Sequence, residues 1–207
     1  MPIGMDVPAA VFFWRKLDFP GYDSCRFFVS AAGCRLAGAA VFLERQLACH
    51  LQYEVVADAA FHTRRAAVRG YIGKTAVDLR IQAGRGGRWK VNGVDHPAIR
   101  GCIDLDLGFT PATTLLPLRR LALRTGQEAR APAAYLPFPK TDLVVLPQRY
   151  RRLSRTEYDY ESPDHGYRAT LRVTPLGAVV EYPGLFEMVL PRRGASGPGE
   201  SKRGDRG

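Results

Sequence analysis

Asparagine occurs once in the 207 residues, at Asn92, and lysine five times, yet the chain carries 30 basic residues and a net charge of +10. The other 25 are arginine. Lysine is the ordinary solubilising cation, whereas guanidinium groups pair bidentately with carboxylate, phosphate and planar groups. Part of this bias fits a GC-rich genome, as does the single Asn. The positive charge favours an anionic partner without naming one. The four histidines are too few and too scattered for a zinc site: Cys49 and His50 point to opposite faces of a strand, while His62, His96 and His165 lie in separate segments. The four cysteines (Cys25, Cys34, Cys49, Cys102) lack CxxC spacing and read as free, mostly buried thiols. No apolar run approaches the roughly 20 residues of a membrane-spanning helix. The start, "MPIGMDVPAAVFFWRK", has no basic n-region and its apolar run is cut by Arg15 and Lys16, so it does not read as a signal peptide. GxSxG is absent. "GYIGKT" (70–75) puts two residues between its glycines where a phosphate-binding loop needs four, and it reads as a hairpin turn. A soluble, cytoplasmic protein is expected.

What is present is short and alternating. "LQYEVVAD" (51–58), "TAVDLRIQ" (75–82), "TEYDYES" (156–162) and "GYRATLRV" (166–173) show period-two patterning rich in β-branched and aromatic residues. In the last, Tyr167, Ala169, Leu171 and Val173 share one face, and Arg168, Thr170 and Arg172 the other. Turn signals separate such runs: "GRGG" (84–87), "NG" (92–93), "SPDHG" (162–166) and "TPLG" (174–177). "AFHTRRAAVRG" (60–70) suits a helix or a strand. No window holds a long apolar stripe of helical period. The pattern predicts an all-antiparallel β domain of roughly ten or more strands. The last segment, 191–207, is rich in Gly, Ser and charge with one Ala as its apolar content, and is expected to be disordered. Its "RGD" (203–205) reads as chance.

The densest chemistry is in "GCIDLDLGFTPATTLLPLRRL" (101–121). As a strand it puts Cys102, Asp104 and Asp106 on one face and Ile103, Leu105 and Leu107 on the other. The two carboxylates then stand roughly 6.6 Å apart along one strand. A glycosidase needs its pair on opposite sides of a sugar, which this does not supply. A metal pair lacks a visible third hard ligand. Arg119 and Arg120 follow a Thr/Pro turn that can fold the chain back, so an Asp–Arg cluster is the economical reading. Such a cluster can also serve as a polar site at the end of an apolar cavity. The basic aromatic run "QRYRRLSRTEYDY" (148–160) is similar to what single-stranded nucleic-acid grooves use. Its Arg149, Arg151, Arg152 and Arg155 are met at once by Glu157, Asp159 and Glu161, which favours a solvated strand pair.

Residues 101–123 also resemble the signature of a bacterial family of "putative glycolipid-binding" proteins, formerly a domain of unknown function. "YEVVADAAFHTRRAAVRG" (53–70), "GRWKVNG" (87–93), "LPQRYRRLSRTEYDYES" (146–162) and "ATLRVTPLGAVVEYPGLF" (169–186) resemble its other blocks, in order, over about residues 10–190. Thr114 and Leu115 stand where the family usually has Asn-Thr, and Thr174-Pro175 replace a usual Asp. The resemblance implies an opened, spiral β-barrel similar to lipoprotein-localisation carriers, with no catalytic residue to carry over.

The expected protein is therefore all-β, a single antiparallel domain curved into an open half-barrel with little helix. It would span residues 10–190, between an N-terminal arm (1–9) and the basic tail (191–207). Its expected role is non-enzymatic: an apolar cleft on the curved sheet holds an acyl chain, and polar residues at the mouth recognise a sugar or other headgroup. Trp89, Tyr150, Tyr158, Tyr160 and Tyr182 are the candidate aromatic contacts. Asp104, Asp106, Arg119 and Arg120 are the candidate polar partners. The partner is an amphipathic small molecule, a glycolipid or similar lipid, with no cofactor, metal or nucleic acid expected. The alternatives are a hydrolase using the Asp104/Asp106 pair, or an anion- or nucleic-acid-binding protein using its Arg surface.

Overall fold

Two antiparallel meanders join into one long sheet in the computed structural model, which describes residues 7–190. The first meander is β1 (Ala10–Lys16), β2 (Gly21–Ser30), β3 (Gly33–Glu44), β4 (Leu47–Asp58), β5 (Thr63–Ile72), β6 (Thr75–Ala83), β7 (Trp89–Val91) and β8 (Val94–Asp95). After β9 (Asp104–Leu107), the helix α1 (Leu115–Leu121), β10 (Glu128–Arg130), β11 (Ala133–Leu136) and β12 (Val144–Leu146) comes the second meander. It runs β13 (Arg149–Arg152), β14 (Glu157–Ser162), β15 (Tyr167–Val173), β16 (Val179–Tyr182) and β17 (Phe186–Met188). β17 pairs with β1, so the two meanders and β10 form a 14-stranded sheet with open edges at β10 and β8. This is the expected curved, open, antiparallel sheet. The N-terminal residues 1–6 and the tail at 191–207 lie outside the described residues.

Alternation explains the strands. In β4, Cys49, Leu51, Tyr53, Val55 and Ala57 are buried, while the residues between them are at least partly open. Residues 60–70 resolve in favour of the strand, as β5. The single asparagine closes a tight hairpin: Asn92 (φ 50°) and Gly93 (φ 84°) form the two-residue turn between β7 and β8. The Asn92 side chain accepts from the Arg80 N–H at 2.8 Å and donates to the Asp78 carbonyl at 3.2 Å, tying the hairpin to β6.

One pairing departs from the expected all-antiparallel pattern. β12, β11 and β9 form a separate small sheet, in which β9 and β11 run parallel. Parallel neighbours need a long crossover, and residues 108–132 with α1 supply it. The chain after Asp106 therefore crosses over instead of folding straight back. Pro117 lies in the first turn of α1, where its missing N–H costs no helical bond. The helix ends at Ala122, in the left-handed region.

These central elements plug the concave face. Leu105, Leu107, Phe109, Leu115 and Leu116 pack with Trp14, Leu36, Leu51 and Val55 of the first meander. Leu118 and Leu123 pack instead with Tyr150, Tyr158, Leu171 and Val173 of the second. Each fully buried Leu contributes about 1.5–3 kcal/mol, so α1 anchors both halves. The plug thus packs into the concave face, and a cavity opens at the seam.

Candidate functional site

The strand β9 directs its two acids to different places. Asp104, 1% exposed, receives Arg120 in a bidentate pair, Nε to Oδ1 at 3.0 Å and Nη2 to Oδ2 at 2.5 Å. Burial raises its pKa and Arg120 pulls it back, leaving a net rise. Asp106 has no guanidinium partner in the structure. It accepts from Gln148 Nε2 at 2.6 Å, while Gln148 Oε1 accepts from the Tyr150 hydroxyl at 3.1 Å. The ionised carboxylate accepts only, so it sets the amide orientation, and the Tyr150 hydroxyl then donates to the remaining Gln148 oxygen. Desolvation pushes the Asp106 carboxyl up to about 6.

Asp106 faces a cavity of about 390 Å³ where the small sheet meets the seam of the two meanders. That size falls in the range, about 300–1,000 Å³, of small-molecule sites. One wall is aromatic: Tyr160 and Tyr182 lie 5.6 Å apart, and Tyr167 is within 6.0 Å of both. Tyr135 and His165, in edge contact at 5.5 Å, line another side. Phe138, Phe186 and Leu146 supply apolar surface. At the rim stand Glu44 and the pair Lys16–Asp18, 2.8 Å apart. Ser162 also lines the cavity, 3% exposed, with its hydroxyl shielded and beside that of Tyr160. Thr114, one of the positions that depart from the family pattern, lines it too.

The cavity brings together Asp106, Tyr160 and Tyr182 from the candidate residues. Tyr150 stands behind them, 5.0 Å from Tyr160 and fully buried. Asp104 and Arg120 form the pair behind the wall. Three others lie elsewhere. Trp89 is 1% exposed in the core, with its Nε1 donating to the Cys102 carbonyl at 3.0 Å. Arg119 is exposed, its guanidinium 5.1 Å from the Phe61 ring. Tyr158 lies under Arg152 at 5.7 Å, on the α1 side of the second meander. In the basic run Arg149 pairs with Glu161 and Glu128 and Arg152 donates to the Leu123, Ser154 and Arg155 carbonyls, while Asp159 pairs with Arg168 of β15.

Several groups were not singled out beforehand. Ser162 follows Tyr158 and Tyr160 at alternate positions of β14, so strand parity alone pointed it inward. The same parity puts Asp23 with Cys25 and Phe27 on the buried face of β2. Its carboxyl accepts from the Tyr53 hydroxyl at 2.9 Å and from the Thr110 hydroxyl, and burial raises it to about 7. This trio ties the loop after β9 to the large sheet. A larger depression of about 620 Å³ lies on the outer face around Ala37, Gly38 and Ala39. It is open, and charged side chains paired with one another, Arg35–Glu54 and Arg69–Asp78, border it. The seam cavity is the better enclosed and carries Asp106, a carboxyl with no guanidinium partner among the described residues.

With this geometry in place, comparison with known proteins decides the family. Residues 11–188 match the family described as "Putative glycolipid-binding". The chain belongs to this family. A crystal structure of a DUF1089 family protein from Pseudomonas aeruginosa is similar over 90% of this chain and 96% of that one, with 27% identity and a TM-score of 0.70. No functionally curated protein matches the chain. Among the described residues, no helix is long and apolar enough to cross a membrane.

Proposed function

We propose that the protein binds one amphipathic, sugar-bearing small molecule, seating its polar end in the seam cavity beside Asp106, Tyr160, Tyr182 and Ser162. The observation that carries this reading is the aromatic-walled cavity with the Asp106 carboxyl, held by the Gln148 amide, facing it. A buried carboxyl needs donors, and Gln148 Nε2 gives Asp106 one beside a space large enough to admit a ligand that brings others. Aromatic walls suit the C–H face of a sugar as well as an alkyl chain. Because plug residues cover the concave sheet, the tail of the ligand runs out through the mouth past Phe19 and Leu185 and is not swallowed whole. The family description supports a glycolipid as the ligand class. We place the protein in the cytoplasm, which its four free cysteines support.

Hydrolysis through Asp106 is the second reading, favoured by a carboxyl poised at about 6 in a cavity. Against it, Asp104, its partner on the same strand, is committed to Arg120. Native mass spectrometry of the gently purified protein tests the binding reading. One co-purifying amphiphile per chain, released when the protein unfolds, is expected. A bare chain that also takes up no alkyl glycoside would refute it.

A further inference from the structure

The overall charge of +10 would suggest an anionic partner. The cavity is arranged otherwise. Four residues of fixed charge type line it: Lys16, Asp18, Glu44 and Asp106. The cation is already used. Lys16 Nζ lies 2.8 Å from both oxygens of Asp18, and it faces the rings of Phe186 at 4.9 Å, Phe19 at 5.6 Å and Phe42 at 5.7 Å. Its side chain is 8% exposed, so it cannot swing out to meet a phosphate without leaving a carboxylate and three rings behind. Glu44 is buried, and its ion-pair partner Arg45 stands 3.7 Å away with its side chain in solvent. Asp106 is held by a neutral amide. Arg120, the nearest guanidinium on the plug, is spent on Asp104. The cavity therefore holds two carboxylates beyond its neutralised pair. The hydroxyls of Tyr160 and Tyr182, which line the cavity, complete the set; each can donate and accept.

Resting on the binding reading above, we infer that the seam cavity selects an uncharged, hydroxyl-rich headgroup and rejects anionic ones. Carboxylate oxygens only accept, so they need donors, and a sugar ring offers several at once. The aromatic wall takes its apolar face. A phosphate, sulfate or carboxylate headgroup would meet Glu44 and Asp106 in a space of low dielectric, where like charges repel strongly. The class of ligand is thus a neutral glycoside on an apolar tail, and a phosphorylated or acidic glycolipid is excluded.

The test holds the tail constant and changes the head. Dodecyl maltoside, dodecyl phosphate and dodecyltrimethylammonium are titrated below their micelle concentrations by calorimetry, at a pH of about 7.5, above the value of about 6 to which burial pushes Asp106. Dodecyl maltoside should bind at least about tenfold more tightly than dodecyl phosphate, a difference of about 1.4 kcal/mol. The double variant Glu44→Gln/Asp106→Asn should lose most of that preference while still melting cooperatively. Equal or tighter binding of dodecyl phosphate would overturn the inference and leave the binding reading standing. Tighter binding of the ammonium probe would overturn it in favour of a cation site. If none of the three binds, the binding reading itself fails, and the selectivity falls with it.

Discussion

Asp104 and Asp106 show how one strand face can serve two purposes. Asp104 meets a guanidinium brought back by α1, while Asp106, two residues on, meets an amide from the segment just before β13. Asp104→Ala leaves the partly buried Arg120 uncompensated, at a cost of up to about 3–5 kcal/mol; Asp104→Asn should cost less. Chemical denaturation checks both, and an Asp104→Ala variant that melts like the parent would contradict the pairing. Asp23 gives a pH signature. Its carboxyl sits near 7 in the fold against 3.8 for a free one, so the folded state holds the proton more tightly. That contribution is complete below about pH 4 and is lost as pH rises through 7, by a few kcal/mol. Asp23→Asn should flatten this decline between pH 4 and 7, seen in melting curves across that range; an unchanged slope would refute the assignment. Asp104 and Arg120 were legible because one 21-residue motif holds both. The Gln148 partner of Asp106 was not, since 42 residues separate them and only the topology joins them.

At the scale of elements, strands announced themselves through alternation, and β4, β6, β14 and β15 fall close to their predicted spans. The helix α1 did not. Seven residues are too few to display a helical stripe, and burial of Leu115, Leu116, Pro117 and Leu118 in succession erases the polar face that would reveal one. The parallel pairing of β9 with β11 was hidden for the same reason, because the crossover was read as a turn. Cross-strand fit is equally invisible in a sequence. Gly38 stands between Cys25 on β2 and Tyr53 on β4, and a Cβ there would lie 2.4 Å from the Tyr53 ring and 2.6 Å from the Ser24 carbonyl oxygen. Gly38→Val should therefore push Tyr53 off Asp23 and destabilise the protein by about 1–3 kcal/mol or more. Thermal melting measures this, and a neutral effect would show that the strands have room to part.

For the whole molecule, the half-barrel was readable from pattern and resemblance together, but its interior was not. A curved sheet with an apolar face suggests an open trough; the residues between β8 and β13 pack into it, and the seam cavity lies where they meet the two meanders. Tyr160, Tyr182 and Asp106 reach that cavity because β14, β16 and β9 converge there, whereas Trp89, with an equally suitable side chain, is spent in the core. The central claim is that this cavity, with the Asp106 carboxyl at its wall, is built for a ligand and not for stability. It is tested most directly by measuring melting temperature and dodecyl maltoside affinity on the same Asp106→Asn variant at a pH of about 7.5. Replacing a carboxylate that burial disfavours should leave the melting temperature unchanged or raise it, while affinity falls by about tenfold. A lowered melting temperature with unchanged affinity would mean that the carboxyl serves the fold, and would contradict the account.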